Sequence, residues 1–564
     1  MTKARIPVLL LVVAALVLAL VVERTDSTED RSDSAAVDLR RLAPSAAGAD
    51  ALGSTWYCAA GSAGGVEIEP ANRPDDVLDG DGETTEDADG EATEPDGADA
   101  EDEATDSTDG EATDTDETEA GDGAVDPDGA AAPPVPVVAE HTVVLTNAGD
   151  ADRVATLTIH PGQDAPVVSE VEVPARSVER IDLADLAEGP AVAALVELDG
   201  GAVVVTHHVV GPLGRDSGPC SSVSSDVWHF AWGDTSRGSA SLVALFNPFP
   251  GDAVVDFSFV TSDGVREPQA LTGMVVPAGS VIVADVGAEV RRREHVSTTV
   301  STRTGRVVAE RIQAFDGTDE AGRSGLAIDL GVPEPASTWM HVVGRRHDDL
   351  PQTLVVYNPS DTPAEVDVEI ALPDDVVGAV APFELTVGPG DHATLDLTDQ
   401  ARLLDVFGED FGEFAVTVRS LNGVAVVTEL ATFDTSAGGV SISSGSPLMS
   451  RQVVVADPAI GEPGTIRLRI VNLDDVEATD ITIQHFADGE VSIVDGGSIV
   501  IDPAGRAVVD LDDLDVGPGS LLVTSSAPIV AEVVAVGDDP ADLSVIAAVP
   551  FGSTPELLPT VDIR

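Results

Sequence analysis

A short charged segment and one tryptophan are the residues whose types and spacing could bind a ligand. Residues 345–349 read Arg-Arg-His-Asp-Asp and could bind an anion or a glycan, although this pattern is also typical of a solvated hairpin loop. Trp232 lies outside the register of the other tryptophans, so it is a candidate for an exposed contact with a sugar ring. We therefore predict as possible ligand contacts Trp232, Arg345, Arg346 and His347.

The other titratable residues do not form a recognisable catalytic or metal-binding group. His207 and His208 are adjacent, so on a strand they point to opposite faces and cannot easily share one ion. Glu310, Glu429 and Glu532 recur at one place in an internal repeat, where the first unit has His207, and this repetition favours a packing or hydrogen-bonding role. The sequence contains no phosphate loop, dinucleotide fingerprint, zinc-protease helix or nucleophile elbow. We expect no catalytic residue, no metal and no cofactor.

Cys58 and Cys220 are the only cysteines, and in an extracellular chain two cysteines predict one disulfide. The loop that this disulfide closes is long, so the entropic stabilisation could reach roughly 4–5 kcal/mol. We expect the disulfide to stabilise the first predicted domain of the chain, a β-sandwich. A long acidic insertion separates the first strand of that sandwich from its other strands.

The charge balance excludes one large class of proteins. The chain has 564 residues, 100 Asp and Glu against 29 Lys and Arg, and a net charge of −71. A nucleic-acid binder needs clustered basic residues for phosphate contacts, so we expect no nucleic-acid partner. Between Pro74 and Asp128 the sequence has 25 acidic residues and no basic one, which predicts a disordered acidic insertion over residues 71–139.

The N-terminus carries one long apolar run. Ile6 to Val22 contains no charged residue and follows Lys3 and Arg5, so it predicts a signal anchor with the rest of the chain outside the cell. This divides the start of the chain into a cytoplasmic stub and anchor at 1–30 and a stalk at 31–55. The alternative is a cleaved signal peptide and a secreted protein.

An internal repeat organises the rest of the chain. The same separation of 19 residues recurs in three pairs, namely Trp228 and Asn247, Trp339 and Asn358, and Val453 and Asn472. Trp56 and Asn147 form the first pair, with the insertion between them. Each Asn ends a Val- and Thr-rich run, and Gly, Pro and Asp turns separate the runs. The pattern predicts an all-β fold of four tandem immunoglobulin-like β-sandwiches at 56–224, 225–335, 336–450 and 451–564.

These features together resemble an actinobacterial envelope family, the domain of unknown function 5719. The resemblance is carried by the N-terminal anchor, by Trp56-Tyr57-Cys58 before a Gly-rich stretch, by Cys220 and by the repeated strand-Asn units. It implies a location in the cell envelope, and it implies no known activity and no functional residue.

The leading hypothesis for function is a non-enzymatic, membrane-anchored extracellular scaffold or adhesion-like protein of the bacterial envelope. Its partner would be an envelope protein or a wall polymer. The alternative is a module that binds a glycan or cell-wall polymer through the predicted ligand contacts. A remote alternative is a hydrolase whose site is assembled from several loops.

Overall fold

The computed structural model describes most of the chain after its N-terminal region. The described residues are 38–64, 138–319, 321–373, 376, 378–408, 412–458, 464–512, 519–537, 542–552 and 554–560. The predicted anchor Ile6–Val22 and nearly all of the predicted insertion 71–139 lie outside them. Among the described residues, no helix has both the length and the apolar character needed to cross a membrane.

The described residues form an all-β structure of antiparallel sheets. Strand group 1 consists of β1 (Ser54–Cys58), β2 (Glu140–Asn147), β3 (Arg153–Pro161), β4 (Val167–Val173), β5 (Ser177–Asp182), β6 (Val192–Leu198), β7 (Val203–Gly211) and β8 (Gly214–Pro219). Its strands form two sheets, in the orders β1-β6-β3-β4 and β5-β2-β7-β8.

Strand group 2 consists of β9 (Val227–Phe230), β10 (Ser239–Asn247), β11 (Ala253–Thr261), β12 (Gly264–Arg266), β13 (Thr272–Val276), β14 (Ser280–Asp285), β15 (Ser297–Thr304), β16 (Val308–Asp316) and β17 (Ser324–Leu330). Strand group 3 consists of β18 (Thr338–Arg346), β19 (Gln352–Asn358), β20 (Ala364–Ala371), β21 (Phe383–Val387), β22 (Asp391–Asp396), β23 (Gly412–Ser420), β24 (Val427–Phe433) and β25 (Val440–Ser443). Both groups repeat the sheet orders of group 1. In group 2, β12 and β13 together replace one edge strand.

Strand group 4 consists of β26 (Leu448–Val455), β27 (Thr465–Asn472), β28 (Thr479–Ala487), β29 (Glu490–Ile501), β30 (Arg506–Asp510), β31 (Ser520–Val536), β32 (Leu543–Ala547), β33 (Val549–Pro550) and β34 (Glu556–Leu557). The long strand β31 pairs with β26 and β28 through its first half and with β27 and β32 through its second half. In the other groups two separate strands make these pairings. Because β31 belongs to both sheets of group 4, the two sheets form one continuous sheet of nine strands. The helices of the described residues are short, namely α1 (Val286–Glu289), α2 (Ala401–Phe407) and the 3₁₀ turns Leu39–Arg41, Leu183–Asp185 and Gln269–Leu271.

The tryptophans that open the repeats fill the cores between the sheets. Trp228 is fully buried, and its Nε1 donates to the carbonyl of Val307 at 2.9 Å. Trp339 makes the equivalent bond to the carbonyl of Val426 at 2.8 Å. The polar atoms of these two indoles are thereby satisfied inside an apolar core of mainly Val, Ala and Leu, so both rings are core residues and not exposed platforms.

A buried asparagine explains why the spacing in the sequence recurs. The Nδ2 of Asn247 lies within hydrogen-bonding distance of the carbonyls of Gly251, Val276 and Pro277, at 2.9, 3.0 and 3.1 Å. Its Oδ1 accepts from the amide of Phe249 at 3.1 Å. The same arrangement recurs at Asn147, Asn358 and Asn472. Each Asn joins the turn after its strand to a second turn, so buried backbone groups of both turns are paired.

The apolar cores continue across the boundaries between groups. Ala59 of group 1 belongs to the cluster that surrounds Trp228 of group 2. Phe551, near the end of group 4, belongs to the cluster that surrounds Trp56 of group 1. The first and last groups therefore share a core, although about 500 residues separate these two side chains.

A disulfide joins Cys58, the last residue of β1, to Cys220 just after β8, with 4.7 Å between the Cα atoms, which confirms the predicted pair. The predicted C-terminal limit of the insertion, residue 139, is wrong. Val138 is buried and Ala139 donates to the carbonyl of Val210 at 2.7 Å, because the chain already follows the sheet there. The Oγ of Ser62 donates to the carbonyl of Val138 at 2.6 Å, so the two ends flanking residues 65–137 meet.

This meeting point predicts that residues 65–137 can be replaced by a short Gly-Ser linker without loss of the fold. The shorter loop lowers the entropic cost of closure by roughly 2 kcal/mol at most, so the melting temperature of the full-length variant should equal or exceed that of the unmodified protein. Differential scanning calorimetry measures this. A melting temperature lower by ten degrees or more would show that the segment supports the fold.

Candidate functional site

One edge strand from each of groups 1, 2 and 3, together with β32 of group 4, lies at a common centre. We name β8, β17, β25 and β32 the inner ring, because each of these strands contacts the next and β32 contacts β8. Asp216 of β8 accepts from the amide of Ile328 on β17 at 2.8 Å and from Oγ of Ser544 on β32 at 2.6 Å. On the opposite side, the amide of Val545 on β32 donates to Oγ of Ser441 on β25 at 3.0 Å. The circle of contacts is therefore closed by hydrogen bonds as well as by packing.

The inner ring surrounds a small cavity of about 100 Å³. Each group contributes lining side chains, for example Ser217, Leu330, Ser443 and Val545. The walls are mainly apolar, with serine hydroxyls among them. All four groups therefore contribute residues to this cavity.

The N-terminal segment 38–52, which we name the strap, lies across this cavity. Leu42 is buried in an apolar cluster with residues of groups 2 and 3. Nε of Arg41 lies 3.3 Å from a carboxylate oxygen of Glu334, in the connection between those groups. The amide of Ala46 donates to the carbonyl of Pro550 at the end of group 4, at 3.0 Å. The strap therefore joins distant parts of the chain at the centre.

The repeated glutamates connect consecutive groups. Glu310 of β16 in group 2 accepts from the amides of Ala59 and Ala60 in group 1, at 3.0 and 2.8 Å. Glu532 of β31 in group 4 accepts from the amides of Val342 and Val343 in group 3. We name Glu310, Glu429 and Glu532 the interface glutamates, and all three are at most 2% exposed.

Glu429 of β24 in group 3 also binds the preceding group, but it accepts from one backbone amide and one guanidinium group and not from two amides. It accepts from the amide of Trp232 in group 2 at 2.8 Å and from a guanidinium nitrogen of Arg311 at 2.9 Å. A packing and hydrogen-bonding role for these glutamates, which their repetition indicated, agrees with these contacts.

The amides that donate to the interface glutamates lie where the first strand of a group is interrupted or ends. The pairing of β18 with β23 shifts between His341 and Gly344, so the ladder does not use the amides of Val342 and Val343. In the other groups the equivalent residues come just after the first strand has ended. Because a buried amide without a partner costs about 1–3 kcal/mol, each interruption needs an acceptor from outside its own sheet.

A buried chain of side chains extends from Glu310. His207 Nε2 lies 2.6 Å from Glu310 Oε1, and His207 Nδ1 lies 2.9 Å from His141 Nε2. The chain ends at the carbonyl of Val192, which is 3.2 Å from His141 Nδ1. The grouping resembles an acid–base relay, yet all of its side chains are buried and both ends are fixed to backbone. Its geometry suits holding groups 1 and 2 together.

The strand register corrects the position assigned to His207. Glu310 lies opposite Ala244, which is three residues before Asn247. His207 lies opposite Val143, which is four residues before the equivalent Asn147. The residue of group 1 that corresponds to the interface glutamates is therefore Thr206. The identification of His207 with that position was wrong by one residue, which on a strand is a change of face.

The contact between group 4 and group 1 uses a different interaction. Thr206 is too short to act as an interface glutamate. Arg180 of β5 instead forms a bidentate ion pair with Asp457, with Nε 2.5 Å from Oδ2. Asp457 is 1% exposed and lies just after β26, where the first strand of group 4 ends.

Burial shifts the protonation of several of these groups. It raises the pKa of Asp216 and of Glu532 to about 7, because a carboxylate away from water is disfavoured. Burial, and then the nearby Glu429, raises the pKa of Asp329 well above its usual range. Burial also lowers the pKa of His208 to about 4, so this imidazole stays neutral. Asp216 and Glu532 therefore exchange protons near neutral pH.

The predicted exposed contact at Trp232 is wrong. Trp232 is 2% exposed, and its ring packs against Phe315 at 6.3 Å and Phe433 at 5.9 Å between ring centroids. Its departure from the tryptophan register has another cause, since it fills the junction between groups 2 and 3.

The predicted solvated loop at 345–349 is also wrong in its first half. Arg345 and Arg346 are the last residues of β18 and are only 6% and 2% exposed, because that strand resumes after its interruption. His347 follows the strand and is half-buried. The structure therefore places the two arginines in an interface and not on a surface loop.

Sequence reasoning missed several residues of the centre. Asp216 and Asp457 carry no repeating signal, and each acts through residues hundreds of positions away. Arg311 had one available signal, since it directly follows Glu310 and occupies the register position of His207. Its charge at a position that is apolar in groups 3 and 4 marks it as an exception.

The fold and its centre define a class of all-β proteins built from paired antiparallel sheets that repeat along the chain. The chain belongs to the family of unknown function DUF5719, whose model matches residues 211–327 and 332–558. No curated protein matches it.

Two solved structures have weak similarity to the chain. One is the Streptomyces avermitilis α-L-rhamnosidase complexed with L-rhamnose, at 10% identity and a TM-score of 0.12, covering 58% of this chain and 43% of that one. The other is a tetra-tandem repeat in the extending region of a large adhesion protein, at 13% identity and a TM-score of 0.09, covering 74% and 97%. The chain thus spans less than half of the rhamnosidase, and neither similarity supports an argument.

We predict that Glu310→Ala lowers the free energy of unfolding by about 2–4 kcal/mol, because two buried amides and His207 lose their acceptor. Glu170→Ala is the matched control, since Glu170 is exposed on β4 and its loss should change stability by about 0.5 kcal/mol at most. Urea titration of both full-length variants measures the difference. Equal losses of stability would contradict the proposed role of Glu310.

We predict that Glu532→Gln weakens the dependence of stability on pH. Folding raises the pKa of this carboxyl to about 7, so its contribution to stability falls as pH rises from about 4.5 to 7. The amide keeps the accepting oxygen and has no charge. The variant should therefore gain roughly 2–3 kcal/mol relative to the unmodified protein between pH 5 and pH 8.

Urea titrations at both pH values measure this relative gain, and the shared histidines cancel in the comparison. A constant difference between the two proteins across this range would contradict the assignment.

Proposed function

We propose that this protein is a non-enzymatic, membrane-anchored extracellular scaffold or adhesion-like protein of the bacterial cell envelope. In this proposal the four strand groups are four tandem immunoglobulin-like β-sandwiches, and Ile6–Val22 anchors the chain in a single pass. Secretion after cleavage of that segment is the alternative for its location. The disulfide between Cys58 and Cys220 supports an oxidising compartment.

The observation that carries this proposal is that the buried titratable side chains join neighbouring strand groups. The interface glutamates, His207 and Asp216 are at most 2% exposed, and their polar atoms bind residues of neighbouring groups. Side chains placed in this way stabilise an assembly. An assembly of sandwiches whose neighbours are joined by buried polar contacts suits a protein that positions other molecules.

The alternative of a glycan-binding module loses most of its predicted contacts. Trp232, Arg345 and Arg346 are buried, and only His347 retains appreciable exposure. For the hydrolase alternative, the relay of His141, His207 and Glu310 is a candidate acid–base group, but both of its ends are fixed to backbone. Both alternatives therefore receive less support than the scaffold.

Photo-crosslinking in cells tests the scaffold proposal. A crosslinking amino acid replaces, one at a time, an exposed residue on each of three groups, namely Val168, Val265 and Val500, which are 62%, 58% and 66% exposed. We expect one dominant protein partner, captured from one of these positions and lost when Ile6–Val22 is deleted. Mass spectrometry identifies the adduct. Capture of wall polymer alone, or of nothing reproducible, would contradict the scaffold.

A further inference from the structure

Arginines concentrate where group 3 meets group 4, in a chain with 29 basic and 100 acidic residues. Arg345 and Arg346 end β18, Arg467 and Arg469 lie on β27, and Arg506 begins β30. Arg467 and Arg469 are two residues apart on one strand and therefore share a face. The register places Arg506 opposite Val471, which is on that same face.

Several carboxylates lie among these guanidinium groups. Arg467 pairs with Asp510 and Arg346 with Asp348, and Glu532 is the cross-strand neighbour of Arg469. Glu413 of β23 is the cross-strand neighbour of Arg345. Its Oε1 lies 2.5 Å from Nη2 of Arg469, and its Oε2 lies 3.7 Å from Nη2 of Arg506. Glu413 therefore faces three arginines at once.

Two of the arginines keep buried donors that no acceptor satisfies. Arg469 is 0% exposed, and within the described part of the chain its Nε and Nη1 make no hydrogen bond. Nε of Arg345, a residue 6% exposed, is also without a partner there. Burial, and then repulsion by Arg469, lowers the pKa of Arg345 to about 9. The interface thus holds an excess of buried positive charge and at least three unused donors.

The repeat shows that the fold does not require these arginines. Arg469 lies three residues before the buried Asn that ends its strand. The equivalent positions in groups 1, 2 and 3 hold Val144, Ala244 and Val355. The positions that correspond to Arg345, six residues after the tryptophans, hold Ser62 and Asp234. The fold thus accommodates Val or Ala at the position of Arg469 and Ser or Asp at the position of Arg345, so it requires an arginine at neither.

We propose that Arg345 and Arg469 bind a phosphate group at the interface between groups 3 and 4. Guanidinium groups match the oxygens of phosphate in geometry and charge. Three unused donors fit the several acceptors of a tetrahedral oxyanion better than the two oxygens of a carboxylate, and Glu413 already supplies a carboxylate. The side chain of Glu413, which contacts Arg469, is 16% exposed and so reaches solvent. The site does not depend on the scaffold proposal.

Titration of the full-length protein with inorganic phosphate tests this inference. Isothermal titration calorimetry at constant ionic strength, with sodium chloride as the reference salt, should show saturable binding. Arg469→Val, which installs the residue found at this position in groups 1 and 3, should weaken binding at least tenfold. Arg345→Ser should do the same. Arg303→Ser is the matched control, because Arg303 is an exposed arginine paired with Asp256, and it should bind as the unmodified protein does.

Glu413→Gln should tighten phosphate binding several-fold, because it removes the charge that competes for the same guanidinium groups. Circular dichroism verifies that each variant folds, and titration of the unmodified protein decides the question if one does not. Absence of saturable heat in the unmodified protein would overturn the proposal, as would equal affinity in Arg469→Val.

A second titration with glycerol 3-phosphate distinguishes the source of the phosphate. Binding at least tenfold tighter than that of inorganic phosphate indicates a phosphate ester as the natural ligand. Equal or weaker binding indicates the free ion. Both results support the site and identify what it takes.

Discussion

The structure depends on buried carboxylates that accept hydrogen bonds from backbone amides of a neighbouring strand group. The first strand of each group is interrupted or ends shortly after its core residue, and the amides beyond that point would be unpaired in the interior. A glutamate from the next group supplies the acceptor, as Glu310 does for Ala59 and Ala60. Because a buried amide without a partner is costly, neither group is complete alone.

This constraint accounts for the architecture at the centre. Each group is fixed to the next, and the strands of the inner ring contact one another at the centre. Asp216 on β8 binds both β17 and β32 and so completes the circle of contacts. Group 1 faces group 4, and its residue that corresponds to the interface glutamates is Thr206. At that contact the pair of Arg180 and Asp457 replaces the glutamate. The groups therefore share cores and polar contacts, and the chain is less modular than a row of independent sandwiches.

Local features of the fold could be predicted from the sequence, because their causes are local. Asn247 binds carbonyls 4, 29 and 30 residues away, all inside its own group, so its spacing recurs visibly. Contacts between groups follow no such period. Glu310 and the amide of Ala59 are 251 residues apart, and the pattern around Trp232 could not show that its ring would be covered by Phe433. The error of one residue at His207 has the same origin, since only the strand register distinguishes it from Thr206.

Hydrogen–deuterium exchange of the amides of Val342 and Val343 tests the central claim most directly. These amides belong to no strand ladder, so only Glu532 protects them. The account predicts that in the full-length protein they exchange as slowly as the neighbouring core strands, and that Glu532→Ala raises their exchange rate at least a hundredfold. Rapid exchange in the unmodified protein, or protection that survives Glu532→Ala, would contradict it.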